Sequence, residues 1–256
     1  MQRTTQGELC WIDLGAADLD AQTEFYEKLF DWTHADVPTD MGPIYRQFML
    51  DDRVVAGAAQ QSPDQQGMPS MWNLYICATD ADDVAGRVPA AGGQVFMPVM
   101  RVMQEGRMLG IQDPTGGVVM FWEPGNHKGA SVFGETGSMG WADLNTRDPE
   151  RATAFFSDLL GWEFEQLQGG DMPYWQISVN GVPQGGIMPM PPGLPAEVPP
   201  HWLVYFMVDD AAAALDRVRA GGGSAEMEPM TQGGVTFAVA SDPAGATFAV
   251  MEPMRG

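Results

Sequence analysis

The chain has 256 residues, 45% of them hydrophobic and 10% aromatic, which is the make-up of packed globular structure and not of a disordered chain. Thirty-four acidic side chains against 13 basic ones leave a net charge of −21, which excludes a nucleic-acid surface of the usual kind, because phosphate binding needs a positive patch. No apolar run reaches membrane-spanning length and no signal-like apolar segment follows Met1-Gln2-Arg3-Thr4, so the expectation is a cytoplasmic protein whose partner is a small molecule, without nucleic acid or membrane.

In chain order, Leu9 to Leu14 reads as a strand. Asp18 then caps a helix in which Phe25/Leu29 and Tyr26/Phe30 recur at i, i+4. Tyr45 to Leu50 and Val54 to Ala59 alternate as short strands, joined at Asp51-Asp52 like a hairpin. After the polar stretch Ser62 to Pro69, Trp72 to Ala78 is a strand, and Asp80 or Asp82 to Ala91 a helix stopped by Gly92-Gly93. Val95 to Met103, Arg107 to Gln112 and Val118 to Trp122 follow as strands, with Asp113-Pro114-Thr115-Gly116 as a type I turn between the last two. Pro124 to Ala130, rich in small and turn-forming residues, makes an interdomain linker.

The series then repeats about 130 positions later. Trp11-Ile12-Asp13-Leu14 returns as Trp141-Ala142-Asp143-Leu144, and Phe25, Leu29 and Trp32 return as Phe155, Leu159 and Trp162. Asp148 caps the second helix with Pro149 at its first position, and Gly161 stops it. The hairpin becomes Asn180-Gly181, Asp113-Pro114-Thr115-Gly116 becomes Asp242-Pro243-Ala244-Gly245, and Glu123-Pro124 becomes Glu252-Pro253. The equivalent of Ser62 to Pro69 is the stiff, proline-rich loop Pro189 to Pro200. The chain is therefore two copies of one domain, residues 1–128 and 129–256, each reading as βαβββ twice and each long enough to bury its own core. Cys10 and Cys77 are replaced by Gly140 and Met207 in the second copy, which argues for reduced thiols over a shared disulfide.

Paired βαβββ units, the helix end from Phe25-Tyr26 to Trp32, the Gly-Gly helix stop and an Asp-Pro-x-Gly turn before a last strand ending in Glu-Pro resemble the vicinal oxygen chelate superfamily. That group includes glyoxalase I, extradiol dioxygenases, and fosfomycin- and bleomycin-resistance proteins. The likeness covers nearly the whole chain and is closest to tandem two-domain, glyoxalase-like bacterial proteins. It implies an α+β fold of two tandem domains, each a cupped mixed β-sheet with flanking helices. It implies no one reaction, because the superfamily hosts unrelated chemistries on one scaffold.

In metal-dependent members, a divalent ion is held by His, His or Gln, and Glu, from the first, fourth, fifth and eighth strands. The resemblance places the first-strand position on Trp11 and Trp141, and the fifth-strand position on Asn73 and Leu203. The eighth-strand position falls on Met120 and Ala249, and the fourth near Ala58-Ala59 and Ile187-Met188. None is an imidazole or a carboxylate, so no metal or other cofactor is expected. Glu123 and Glu252 sit three residues past the ligand position, an odd spacing that turns them to the opposite face of the strand. His201 lies near the start of its strand and stands alone.

Period-two alternation puts Trp11, Asp13, Tyr45, Gln47, Asn73, Tyr75, Cys77 and Met120 on the concave face of the first cup. The second receives Trp141, Asp143, Asn145, Tyr174, Gln176, Leu203, Tyr205 and Met207. Arg107, after Gly106, is a candidate anion anchor at one cavity mouth, without a basic counterpart in Gly233-Gly234-Val235. Aromatic walls with a few polar anchors are the make-up of a small-molecule site. Three readings follow: a metal-independent pocket for an aromatic or hydrophobic small molecule; a glyoxalase-like lyase, isomerase or hydroxylase using Asp13 or Asp143; and a metal-dependent lyase or dioxygenase. The Asp pair also suits a buried polar network that only holds the fold. A tandem chain supplying both halves of a paired assembly points to a monomer or a weak homodimer.

Overall fold

The computed structural model describes residues 2–39, 44–65, 67–167, 172–191 and 193–253; Gln66 and Pro192, in the two polar or proline-rich loops, lie outside the described residues. The first copy runs β1 (Leu9–Ala16), α1 (Leu19–Phe30), β2 (Thr33–Val37), β3 (Tyr45–Leu50) and β4 (Arg53–Gln60), then β5 (Met71–Cys77), α2 (Ala81–Arg87), β6 (Gln94–Val102), β7 (Gly106–Gln112) and β8 (Val118–Pro124). The second runs β9 (Met139–Thr146), α3 (Pro149–Leu160), β10 (Glu163–Leu167), β11 (Tyr174–Val179) and β12 (Val182–Pro189), then β13 (His201–Met207), α4 (Ala211–Ala220), β14 (Ser224–Gln232), β15 (Val235–Ser241) and β16 (Thr247–Met251). The βαβββ unit thus occurs four times. No helix among the described residues is long and apolar enough to cross a membrane.

Each copy folds into one eight-stranded sheet of the same order, β2-β3-β4-β1-β5-β8-β7-β6 and β10-β11-β12-β9-β13-β16-β15-β14. Within each unit the first strand lies parallel to the last, as β1 to β4 and β5 to β8. The two units of a copy join through the antiparallel pair β1–β5 or β9–β13.

Local chemistry sets these boundaries. Asp18 accepts from the Ala21 amide at 3.0 Å, and Asp148 from Arg151 at 3.1 Å, with Pro149 in the first turn. Gly161 ends α3 in the left-handed region at φ 71°, a role Asp31 takes in the first copy at φ 56°. Both hairpins use two consecutive left-handed residues, Asp51-Asp52 and Asn180-Gly181. Helix α2 ends at Arg87 instead of Ala91, because Pro89 has no N–H to offer the carbonyl four residues back.

The expectation that each copy buries its own core is corrected by the packing. The helix-side faces of both sheets share one continuous apolar core, with the Phe30 ring 4.7 Å from Phe206 at a tilt of 37° and Phe25 6.5 Å from Phe248. Trp32 Nε1 donates to the carbonyl of Gly137 at 2.7 Å, and its counterpart Trp162 donates to Gly7 at 2.8 Å. These reciprocal bonds lock the copies together and leave the concave faces pointing away from the shared core.

Candidate functional site

The concave face of each sheet carries the same bonded cluster. In the first, Trp11 Nε1 donates to the Tyr45 hydroxyl at 3.0 Å, which donates to Asp13 Oδ2 at 3.2 Å. Tyr75 donates to the same oxygen at 2.8 Å, and Asn73, directly across the β1–β5 ladder, donates to Asp13 Oδ1 at 2.9 Å. In the second, Tyr174 donates to Asp143 Oδ1 at 2.7 Å, and Trp141 Nε1 reaches both Asp143 and Tyr174 at 2.9 and 2.7 Å. Tyr205 directs its hydroxyl at the same carboxyl.

Glycine makes the arrangement possible. Tyr45 lies over Gly57 on β4, and Tyr174 over Gly186 on β12, so closely that a Cβ at either glycine would fall on the tyrosine hydroxyl. Gly186→Ala is therefore expected to displace Tyr174, break its bond to Asp143 and cost about 1–3 kcal/mol of stability by overpacking. Urea unfolding with near-UV circular dichroism checks this; an unchanged aromatic spectrum and midpoint would refute it.

Electrostatically the aspartates are poised alike. Burial pushes the carboxyls of Asp13 and Asp143 above their ordinary range, against the downward pull of their hydrogen bonds. The same burial, reinforced by the neighbouring carboxylate, raises the phenols of Tyr45, Tyr75, Tyr174 and Tyr205, which stay protonated as donors. Asp13 is thus a desolvated acceptor held by phenol and amide donors, and Asp143 one held by phenol and indole donors.

The remaining positions divide. Gln47 and Gln176 are half-buried on the faces that carry Tyr45 and Tyr174, and their amides have no side-chain hydrogen bond among the described residues. Met120 pairs with Tyr75 across β5–β8 and packs half-buried against Trp11's cluster. Cys10 and Cys77 are buried free thiols beside it. In the second copy Met207 fills the place left by Gly140, where a Cβ would meet its sulfur.

Arg107 is not an anion anchor. It follows Gly106 and precedes the cup-facing Met108, so alternation turns it to the helix side, where it meets Glu123, Asp82 and Asp80. Three carboxylates surround the guanidinium, and Glu123 and Asp82 raise its pKa. Glu123 also accepts from the Ala81 amide at 2.8 Å and Glu252 from Ala211 at 3.0 Å, so both tie a helix start to the last strand. Thr236 stands in the Arg107 position beside Glu252, leaving a surface groove of about 400 Å³.

Sequence reasoning missed His127. Its ring stands edge-on to Trp11, 4.5 Å between centroids, so the linker is folded onto the first cup and is not a free tether. The signal was there in an aromatic residue, without a counterpart, inside a glycine-rich connection.

The model of the Glyoxalase/Bleomycin resistance protein/Dioxygenase superfamily matches residues 9–121 and 138–250, one match per sheet. The chain belongs to this superfamily. Among curated relatives, "Putative glyoxylase CFP32" of Mycobacterium tuberculosis is 39% identical over 253 residues, spanning 97% of this chain and 95% of that one. "Anthracycline biosynthesis protein DnrV" of Streptomyces peucetius is 36% identical over 271 residues, spanning 100% and 97%. The superfamily fold also aligns with the Mn(II)-bound glyoxalase of Novosphingobium aromaticivorans, at TM-score 0.65, 18% identity and coverage of 100% and 84%. The 2,3-dioxygenase LapB of Pseudomonas sp. KL28 aligns at TM-score 0.68, 13% identity and coverage of 99% and 94%.

The metal that the superfamily implies does not fit the residues present. Trp11, Tyr75 and Met120 form one row across β1, β5 and β8, and Trp141, Tyr205 and Ala249 form its counterpart. At the mapped ligand positions indole, thioether and alkyl groups offer no hard or borderline donor, and the single oxygen donor, the amide of Asn73, is hydrogen-bonded to Asp13 and cannot by itself make a ligand set. Among the described residues no three His, Cys, Asp or Glu side chains gather as a ligand set.

Proposed function

We propose that this superfamily member is a metal-independent protein whose cup binds an aromatic or hydrophobic small molecule. The observation that carries the reading is the Trp–Tyr–Asp cluster, built twice on a glycine floor at the place where a metal-binding relative needs ligands. Its indole and phenol faces offer stacking area, and its few polar groups orient a guest. Relatives named for anthracycline biosynthesis add support, since anthracyclines are built on fused aromatic rings.

A second reading has its own observation. A buried carboxylate with a raised pKa on the concave face of a sheet is a general-base candidate, so Asp143 or Asp13 suits a lyase, isomerase or hydroxylase of this fold.

Titration calorimetry with 1-naphthol, alongside elemental analysis of the purified protein, tests the binding reading. Trp141→Ala is expected to weaken binding about tenfold, the equivalent of one lost aromatic contact. Asp143→Asn should leave affinity within a few-fold and abolish any turnover that the second reading requires. A stoichiometric divalent ion, or naphthol affinity indifferent to Trp141, would overturn the proposal.

A further inference from the structure

In the first cup the chain supplies its own guest. After β8, the Gly125 and His127 amides donate to Glu105 O at 2.8 and 3.1 Å, and Asn126 to Gln104 O at 3.0 Å. Farther on, Ala130 donates to Cys10 O at 2.9 Å and Ser131 to Val54 O at 2.8 Å. Residues 125–131 are thereby strapped between the β6–β7 turn, β1 and β4. Gly129 permits the close pass: its φ is 86°, and a Cβ there would fall on the Cys10 carbonyl.

The strap lays His127 between two indoles. Its ring stands at 82° to Trp11 and 5.7 Å from Trp122, whose Nε1 donates to the His127 carbonyl at 3.0 Å. Burial lowers the imidazole pKa to about 4, so the ring is neutral at physiological pH. Its Nε2 is buried and has no hydrogen-bond partner among the described residues. His127 is held as an uncharged aromatic plate, by ring contacts and by its backbone. Beneath it Trp11 is only 2% exposed.

The second cup has the same floor without the plate. Trp141 bonds its tyrosine as Trp11 does, and the carboxylate besides, yet it is half-buried, and among the described residues no aromatic ring stacks on it. The polar groups are also rearranged. Leu203 replaces Asn73, which is committed to Asp13, while Asn145 appears where the first copy has Gly15. Asn145 is buried on the cup face, and its amide has no side-chain hydrogen bond among the described residues.

We propose that the second cup is the single ligand site of the chain, and that its guest presents an uncharged azole- or phenol-sized ring edge-on to Trp141, as His127 does to Trp11. A hydrogen-bonding substituent on that ring meets Asn145. This rests on the binding reading above and narrows it to one cup and one class of guest. The first cup is closed by its own histidine and is structural.

Benzimidazole titrated into the full chain tests the proposal, read by calorimetric stoichiometry and by the indole N–H signals in NMR. One site per chain is expected, with the Trp141 signal moving, the Trp11 signal still, and affinity at least tenfold weaker in Trp141→Ala. His127→Gly should gain a second site; if that variant does not fold, the Trp11 and Trp141 signals of the unaltered chain decide. Two equal sites, movement at Trp11, or indifference to Trp141 would overturn the proposal. So would 1-naphthol binding without benzimidazole binding, which leaves the broader function standing; failure of both probes removes both.

Discussion

Tyr26→Phe is expected to destabilise the protein by about 2–4 kcal/mol, although only one hydroxyl is removed. That hydroxyl is fully buried between the copies, donating to Asp242 Oδ2 at 3.1 Å and accepting from Trp72 Nε1 at 2.9 Å. Gln22 completes the network, its Nε2 donating to the same Asp242 oxygen at 2.6 Å and its Oε1 accepting from Ser70 at 3.0 Å. Without the hydroxyl, a buried indole N–H is orphaned and a buried carboxylate loses one of two donors to that oxygen.

The chain already carries the outcome of that deletion. In the second copy Phe156 stands for Tyr26 and Ala152 for Gln22. The two groups they would serve, Trp202 Nε1 and Asp113 Oδ2, are buried with no partner among the described residues. Asp113 keeps its other oxygen on the Thr115, Gly116 and Gly117 amides, but burial still raises its pKa. Phe156→Tyr should serve both orphans at once and stabilise by about 1–3 kcal/mol, less whatever overpacking the new oxygen causes. Urea midpoints of the two variants check the pair. A neutral Tyr26→Phe together with a destabilising Phe156→Tyr would show that the polar asymmetry carries no free energy.

His127 yields the second large effect, in the pH profile. Its folded pKa of about 4 lies below the unfolded value of 6.5. On acidification the unfolded chain takes up this proton first, so stability present above pH 6.5 is lost as pH falls toward 4. A difference of about 2.5 pKa units corresponds to about 3 kcal/mol at the acid end. His127→Phe keeps a ring over Trp11 and removes the titration, so its stability should not show this loss.

The aspartates act with the opposite sign. Asp13, Asp143 and Asp113 all have folded pKa values above the ordinary 3.8, so their contribution is present below that value and fades as pH rises through the folded ones. Relief of the net charge of −21 also favours mildly acid conditions. Subtracting the His127→Phe profile from that of the unaltered chain isolates the histidine. Parallel profiles between pH 6.5 and 4 would refute its role.

Much of the site's composition was legible because a strand has period two. That alternation places Trp, Asp and Tyr together on one face of each sheet, and the repeat shows the set twice. It gives no information on bonding, such as which tyrosine reaches which carboxylate oxygen. Arg107 shows how easily a face is misjudged: one residue from the cup-facing Met108, it points the other way and meets Glu123. The width of the α1 apolar face, with Phe25/Leu29 beside Tyr26/Phe30, was a sign that this helix buries more than one sheet can cover.

The amino-acid sequence by itself determined the four βαβββ units, their caps and hairpins, and which residues stand at the mapped ligand positions. Each depends on neighbours a few positions apart or on a repeat that can be counted. Only the tertiary structure decided that the copies share one core, that Tyr26 serves partners which Phe156 leaves orphaned, and that His127 lies edge-on to Trp11. Those depend on groups brought together from distant parts of the chain, where geometry and not spacing sets the contact.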